Sequence, residues 1–239
     1  MSLPRLRLER CSCDNGIWTI DAEEAHHLVR VRHCYTGSLV EGLLNGEKVT
    51  LRLHCDGAAV TARELSREEE PPLEPRVELL LGLLKNDQLD DALRFCAETG
   101  VFRIHLLVCE RSVPRYDGAR LDDKMKRWRK ILDEATKQAG AATQPVLCTP
   151  VPFAEFDFDG LPEQRLAALL SDAARPLREV SVAESLAAAV GPEGDWSPDE
   201  SAQLLSENFA PVRLGARIMR ASTAVASFCA SLAMMYEKR

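Results

Sequence analysis

The chain has 239 residues, of which 46% are hydrophobic and 28% charged, and its formal net charge is −7. This length allows one large domain or two smaller ones with a sizeable core. The acidic balance disfavours a protein that coats nucleic acid non-specifically, although a local basic patch could still dock one. The sequence has neither a long apolar run nor an apolar signal core, so we expect a cytoplasmic protein without a membrane span.

The eight cysteines are scattered along the chain, and no two of them have C-x-x-C spacing. Several lie inside apolar runs, so we expect reduced, mostly buried thiols and no metal site. Zinc is the alternative, because six possible ligands crowd the first part of the chain, in a spacing that fits no common structural zinc site. These six residues are Cys11, Cys13, His33, Cys34, His54 and Cys55.

Residues 1–70 carry short stretches of alternating hydrophobicity that glycines interrupt. Asn45-Gly46 and Asp56-Gly57 are strong hairpin signals between such stretches. One helix is predicted over 21–28, with Asp21 as its N-cap and Glu24 in the capping-box position three residues later. The pattern predicts a small β-rich domain, which we expect to be a barrel.

Acidic residues and prolines over 68–75 resist both helix and strand and predict a linker. We place the linker between the two domains at 71–76 and the second domain at 77–239.

From residue 77 onward, short buried strands alternate with helices, which predicts an α/β domain with a largely parallel sheet. Strands are predicted over 77–84, 104–108, 166–170, 187–190 and 212–214. Helices are predicted over 88–99, 121–139, 198–208 and 219–235. On the last helix, the apolar face of Val225, Phe228, Leu232 and Met235 suits either the core or a dimer seam.

Two glycine-containing loops lie about twenty residues apart near the end of this domain. Gly191-Pro192-Glu193-Gly194 follows one apolar strand, and Leu214-Gly215 ends the next. Each loop leads from a strand towards a helix, so together they can line a pocket with backbone amides and carbonyls. Such a pocket suits a planar, polar cofactor.

These two loops resemble those of the 16S ribosomal RNA uracil-N3 methyltransferases of the SPOUT superfamily. The family pattern is roughly GPEGG(F/L/W)S, followed by LG-x-R-(I/V)-LR-x-ET-A, and this chain reads GPEGDWS and then LGARIMRASTA. Matches at 82–85, 97–101, 110–112 and 124–138 follow in the expected order. The resemblance covers most of the chain and is weakest in the first seventy residues.

The resemblance implies a SPOUT-type domain knotted as a trefoil, preceded by a PUA-like β-barrel that docks RNA. It also implies a homodimer that uses S-adenosylmethionine to methylate N3 of a uridine in 16S ribosomal RNA, either free or within the small ribosomal subunit. Two alternatives stay open: a methyltransferase of the same superfamily for another RNA, and a non-catalytic RNA-binding homologue.

Methyl transfer from an activated sulfonium mainly requires positioning, together with removal of the N3 proton or stabilisation of the anion it leaves. Arg220 could hold the anionic uracil edge or form an ion pair with Glu193, and Glu193 could act as a base or brace its loop. The expected cofactor-binding residues are Leu170, Ser171, Gly191, Pro192, Gly194, Leu214, Gly215, Ile218 and Met219.

Candidate RNA contacts lie in both domains, because phosphate is bound by exposed cations. Arg5 and Arg7 alternate as on one face of a strand, whereas Lys85 and Arg111 end or follow strands and could equally be solvated surface charges. The candidates are Arg5, Arg7, Arg30, Arg32, Lys85 and Arg111.

Three positions depart from the family pattern. Asp195 replaces the second glycine of GPEGG, Ser222 replaces the glutamate of ET-A, and Ala141 replaces an arginine. The changes add a negative charge near the cofactor loop and remove one carboxylate and one cation. Asp195 and Ser222, together with the acidic net charge, are the reason for keeping the non-catalytic alternative.

Overall fold

The computed structural model describes residues 3–57 and 59–236, and its internal contacts divide the chain into two units. The first unit contains the residues up to Pro72 together with Glu134–Thr143, and the second contains Leu73–Asp133 and the residues from Gln144 onward. The sequence gives no signal for the return of Glu134–Thr143 to the first unit, because this stretch continues the helical pattern that precedes it.

The first unit is built on a six-stranded sheet with the order β1-β4-β5-β6-β3-β2. Its neighbouring strands are antiparallel, except that β1 and β4 run parallel. The elements are β1 Arg5–Arg7, β2 Ser12–Asp14, β3 Ile17–Thr19, α1 Ala22–His26, a π-helical turn His27–Val31, β4 Leu39–Leu44, β5 Glu47–Asp56 and β6 Ala59–Glu69. Buried side chains such as Leu6, Trp18 and Leu51 form its core.

The predicted hairpin turn between β4 and β5 is confirmed. Asn45 and Gly46 have φ angles of 41° and 88°, the left-handed values that a two-residue hairpin turn needs. The linker prediction is wrong at Glu68 and Glu69, which lie in β6 and pair with Lys48 and Glu47 of β5. Pairing along a long hairpin outweighs the low strand propensity of glutamate here.

The N-cap of α1 is confirmed, because the Asp21 carboxylate accepts hydrogen bonds from the backbone amides of Glu23 and Glu24. The reciprocal half of the predicted capping box does not form. The Glu24 carboxylate instead accepts from the Arg7 amide at 3.3 Å and from the Lys137 ammonium at 2.9 Å. A buried carboxylate favours the charged donor, since charge-assisted hydrogen bonds are the stronger ones.

The second unit contains a parallel sheet with the order β10-β8-β7-β13-β11-β14-β12, and β9 pairs with β8. This confirms the α/β prediction with a largely parallel sheet. The strands are β7 Arg76–Gly82, β8 Arg103–Val108, β9 Val146–Leu147, β10 Val151–Pro152, β11 Gln164–Ala168, β12 Arg175–Pro176, β13 Ser185–Val190 and β14 Ala210–Arg213. The helices are α2 Asn86–Glu98, α3 Gly118–Ala139, whose end belongs to the first unit, α4 Pro198–Ser206 and α5 Ala221–Met235.

Helix α4 begins as its sequence predicts. The Ser197 hydroxyl accepts from the Glu200 amide, the Glu200 carboxylate accepts from the Ser197 amide, and Pro198 occupies the first turn. Helix α5 begins at Ala221 rather than at 219, because Met219 and Arg220 belong to the loop that precedes it. Val225, Phe228 and Leu232 are fully buried within the chain, so for these three the dimer-seam alternative is wrong.

The centre of the sheet is β13, where Leu186, Ala187, Ala188 and Ala189 have no exposed surface. Such a strand is covered on both faces, as parallel strands usually are. Its neighbour β7 ends at Gly82, where a Cβ atom would lie 2.5 Å from both the backbone nitrogen and Cδ of Pro192. The loop after β13 therefore lies directly against the end of β7, and only glycine permits that approach.

Gly82→Ala is expected to lower the free energy of unfolding by about 1–3 kcal/mol, because the new methyl group overlaps the backbone of Pro192. Urea denaturation measures this loss. Gly42→Ala is the comparison, since the atoms nearest to its new methyl group belong to the Leu8 and Leu51 side chains and not to the backbone. An equal or smaller loss for Gly82→Ala than for Gly42→Ala would contradict the close approach.

Candidate functional site

A cavity of about 470 Å³ lies in the second unit at the carboxyl ends of β11, β13 and β14. These three strands are neighbours in the parallel sheet, and ligands of open α/β sheets bind at this edge. The loops that follow the strands line the cavity together with the start of α5. The lining residues are Gln88, Ala168, Leu169, Leu170, Val190, Gly191, Pro192, Glu193, Asp195, Val212, Arg213, Leu214, Gly215, Arg217, Ile218, Met219, Arg220, Ala221 and Ala224.

The structure brings together most of the site residues predicted from the sequence. Those that line the cavity are Leu170, Gly191, Pro192, Glu193, Leu214, Gly215, Ile218, Met219 and Arg220. Ser171 and Gly194 each adjoin a lining residue but do not line the cavity themselves.

Sequence reasoning missed several lining residues within and beside the predicted loops, Asp195, Arg213 and Arg217 among them, and one residue of α2. Leu169 and Val190 directly precede predicted loop residues, so starting each loop one residue earlier would have found them. Gln88 lies about a hundred residues earlier in the chain, and no local pattern connects it to the glycine loops.

The loop 191–196 closes around its own tryptophan. Trp196 is buried, and a Cβ atom at Gly191 would lie 3.1–3.2 Å from the indole ring. Asp195 has a φ angle of 60°, its amide donates to the Pro192 carbonyl, and its carboxylate accepts from the Trp196 amide at 2.9 Å. Aspartate tolerates this left-handed conformation better than most residues. The departure from glycine at 195 therefore preserves the turn.

Glu193 attaches the same loop to α2. Its Oε1 accepts a hydrogen bond from the Lys85 amide at 2.8 Å, and Lys85 is the N-cap of α2 without a side-chain cap of its own. A carboxylate at a helix N-terminus satisfies a free amide and complements the helix dipole. The second oxygen, Oε2, is buried without a hydrogen-bond partner among residues 3–57 and 59–236. This geometry supports the bracing role.

Arg111 holds the loop from the other side. Its guanidinium donates to the carbonyls of Gly194 and Trp196, both at 3.2 Å. The carboxylate of Glu200 accepts from the neighbouring Glu110 amide at 2.8 Å. The guanidinium predicted to contact RNA is therefore engaged with the loop in this structure.

The mouth of the cavity is cationic. Arg213, Arg217 and Arg220 all line it and are exposed. Within the described part of the chain, none of them forms an ion pair with a carboxylate, so the Arg220–Glu193 ion pair considered from the sequence is absent there. Arg220 occupies the N-cap position of α5. Three unpaired guanidinium groups at one opening attract an anionic partner.

The predicted RNA contacts of the first unit divide into two kinds. Arg30 and Arg32 are exposed at and beside the π-helical turn. Arg5 and Arg7 instead bind the segment Glu134–Thr143: Arg5 donates to the Gln138 carbonyl at 2.8 Å and pairs with Glu41, while the buried Arg7 donates to the Ala142 carbonyl at 3.4 Å. Their guanidinium groups hold the unit together here.

Within residues 3–57 and 59–236, the structure shows neither a candidate metal site nor a candidate membrane-spanning helix. No group of three or more His, Cys, Asp or Glu side chains there is placed to hold a metal ion, including the six suggested for zinc. No helix there combines the length and apolar character needed to cross a bilayer.

Cys109 lies between β8 and Arg111 and could be mistaken for a nucleophile. Burial raises the pKa of its thiol to about 12, and the carboxylate of Glu200 acts in the same direction. The thiolate is the reactive form of cysteine, so Cys109 is inert near neutral pH.

Iodoacetamide at about pH 8 is therefore expected to alkylate the exposed Cys13 and to leave Cys109 unmodified until the chain unfolds. Peptide mass spectrometry measures both sites, and the same reaction in urea shows that Cys109 can be labelled. Equal labelling of the two cysteines in the folded protein would contradict the assignment.

Comparison with known proteins gives a consistent result. The family model for the RNA methyltransferase domain matches residues 69–233. A ribosomal RNA small subunit methyltransferase E from Mycobacterium bovis is 30% identical over 225 residues, which cover 89% of this chain and 85% of that protein. The protein of the same name from Synechocystis is 27% identical over 215 residues, covering 86% and 69% of the two chains.

Solved structures share the fold over nearly the whole chain. A ribosomal RNA small subunit methyltransferase E from Neisseria gonorrhoeae, bound to S-adenosyl methionine, has a TM-score of 0.86 at 23% identity and covers 98% of each chain. A Legionella pneumophila protein in complex with the cofactor SAM has a TM-score of 0.87 at 22% identity and covers 97% of each.

Proposed function

Because the chain belongs to the RNA methyltransferase domain family, we propose that it uses S-adenosylmethionine to methylate N3 of a uridine in 16S ribosomal RNA. The observation that carries the proposal is the cavity at the ends of β11, β13 and β14, lined by backbone loops and opening between arginines. The family match covers these strands and loops, and the similar Neisseria and Legionella structures hold the same cofactor.

The residues present fit this cofactor. The cavity volume lies in the range of small-molecule sites, and Leu170, Ile218 and Met219 offer apolar contacts for a nucleoside. The two carboxylates that line the cavity are held by hydrogen bonds to the backbone: Glu193 accepts from the Lys85 amide and Asp195 from the Trp196 amide. They therefore do not extend into the space that the cofactor would occupy. When bound, the cofactor supplies a methyl group on an activated sulfonium.

The protein's contribution to the chemistry is positioning and charge. Loss of the N3 proton leaves a negative uracil edge, and in this proposal Arg220, which lines the cavity, stabilises that charge. A guanidinium stays protonated at neutral pH, so Arg220 acts as a cation rather than a base. Glu193 is the carboxylate considered as a base, but its hydrogen bond with the Lys85 amide favours the role of bracing the loop.

We also propose that the second unit carries a SPOUT-type trefoil knot, that the first is PUA-like, and that the protein works as a cytoplasmic homodimer. Met234, which is 83% exposed on α5, is an apolar side chain that such a dimer would cover. Arg30, Arg32 and Lys85 are exposed cations suited to ribosomal RNA, whether free or in the small subunit.

The two alternative functions predict different results for cofactor binding and for the methylation of ribosomal RNA. A non-catalytic RNA-binding protein would lack cofactor affinity, and the preserved turn at Asp195 removes one argument for it. A methyltransferase for another RNA would bind the cofactor but leave the small-subunit uridine unmodified. Calorimetry with S-adenosylmethionine separates the first alternative from the proposal. Ribosomal RNA from a strain without the gene, mapped for lost N3-methyluridine, separates the second.

Arg220→Lys is expected to lower kcat at least about tenfold, because the compact ammonium replaces a planar guanidinium at the uracil edge. The assay follows labelled methyl transfer from S-adenosylmethionine to small ribosomal subunits that lack the modification, with nucleoside mass spectrometry. Arg94→Lys, in an exposed ion pair with Asp91 on α2, is the matched control. Normal turnover by Arg220→Lys, or methyl transfer to another atom, would refute the assignment.

Glu193→Gln is expected to change the affinity for S-adenosylmethionine by less than about threefold, because an amide oxygen still accepts from the Lys85 amide. Glu193→Ala leaves that amide and the loop unsupported, so affinity is expected to fall about tenfold. Calorimetry measures both values. A large loss of kcat in Glu193→Gln with unchanged cofactor affinity would show that Glu193 is a base instead.

A further inference from the structure

The outer face of the first unit's sheet carries a row of exposed residues across four strands. The strand register places Leu39 opposite Arg52, Arg52 opposite Arg63, and Arg63 opposite Ile17. The two arginines are exposed, and the two flanking apolar residues are each 40% exposed. Two cations therefore stand side by side between two uncovered hydrophobic side chains.

This pair is unfavourable for folding, because like charges directly opposite each other in a sheet repel. Neither Arg52 nor Arg63 forms an ion pair within residues 3–57 and 59–236. The same hairpin does neutralise another arginine: Arg67 of β6 lies 2.8 Å from a Glu47 oxygen and 3.0 Å from a Glu64 oxygen. The charge of the Arg52–Arg63 pair is thus uncompensated, although carboxylates are used elsewhere on these strands.

The next row on the same face consists of polar side chains. His54 lies opposite Thr61, Thr61 opposite Thr19, and Thr19 opposite Ser12. Hydroxyl groups of this kind hydrogen-bond to phosphate and ribose oxygens. By register, the carboxylates closest to the arginines on this face are Glu41, which lies two residues after Leu39 and is paired with Arg5, Asp14, opposite Ile17, and Asp56, opposite Ala59.

An exposed aromatic ring stands next to this face. Tyr35 is 72% exposed, and its turn is fixed to β5: the Gly37 amide donates to the Leu53 carbonyl, and the Cys55 amide donates to the Thr36 hydroxyl. Leu53 and Cys55 flank His54 in the strand, so the turn adjoins the polar row. An uncovered ring on a hydrogen-bonded turn beside cations is typical of a surface on which bases stack.

We propose that this face, defined by Leu39, Arg52, Arg63, Ile17, the His54 row and Tyr35, binds a single-stranded segment of RNA. The two arginines contact consecutive phosphates, and the apolar residues and Tyr35 contact unpaired bases. An acidic peptide would satisfy the arginines but not the ring and apolar flanks, and a duplex keeps its bases stacked inside. The inference deepens the proposed function and rests on it for the identity of the substrate as RNA.

The double variant Arg52→Gln/Arg63→Gln tests the face. We expect it to bind a short uridine-rich single-stranded RNA about tenfold more weakly than the wild type. Losing two phosphate contacts should flatten the plot of log affinity against log salt by about 1.4 units of slope. Its resistance to urea should be unchanged or higher, because a repulsive pair is removed. Fluorescence anisotropy over a range of salt concentrations gives affinity and slope.

The matched control is Arg10→Gln/Arg94→Gln, which removes the same total charge from exposed ion pairs with Glu23 and Asp91. The proposal is overturned if both double variants lose equal affinity and slope, if the Arg52→Gln/Arg63→Gln protein unfolds more easily, or if polyglutamate or duplex RNA competes as well as the single strand. Tyr35→Leu should weaken binding of the single-stranded RNA without changing the slope of log affinity against log salt. An unchanged affinity would show that bases do not stack on Tyr35.

The outcome is separable from that of the proposed function. Affinity for S-adenosylmethionine and the methylation of ribosomal RNA are measured on the same proteins, and the exposed face plays no part in cofactor binding. If the wild type methylates no ribosomal RNA while the Arg52→Gln/Arg63→Gln protein still loses single-strand affinity, the proposed function fails and this inference stands.

Discussion

The hydrogen bond between the Glu193 carboxylate and the Lys85 amide is the interaction on which the site depends. It joins the loop after β13 to the N-terminus of α2, while Arg111 binds the carbonyls of Gly194 and Trp196 from the other side. A loop held at both flanks presents its backbone in one arrangement, and pre-organisation of this kind reduces the free-energy cost of binding a ligand.

The packing of the sheet also helps to hold the loop after β13 in one arrangement. An alanine-rich β13 between β7 and β11 and a glycine at the end of β7 let the loop lie directly on the sheet. The cavity then forms where three neighbouring parallel strands end, and the arginines gather at its mouth because Arg213 ends β14 and Arg217 and Arg220 lie between β14 and α5. The small residues of β13 and β7 therefore shape the pocket, and the arginines at its mouth set its charge.

Much of this could be predicted from the sequence, because it depends on local patterns. Apolar runs alternating with helical periodicity gave the α/β domain, and glycine at strand ends gave the pocket loops. What depends on contacts distant in sequence could not be predicted. Gln88 reaches the cavity through tertiary packing, Arg5 and Arg7 turn to a segment more than 130 residues away, and Glu24 bonds to Lys137 rather than closing its own capping box. Two-residue strands such as β9 lack any periodicity to detect.

The most direct test of the account is a crystal structure of the protein with S-adenosylmethionine. We predict the nucleoside between the loops after β11, β13 and β14, the methyl group facing Arg220, and Glu193 still bonded to the Lys85 amide. A cavity that stays empty at saturating cofactor, or a Glu193 carboxylate swung into the space that the adenine should fill, would contradict it.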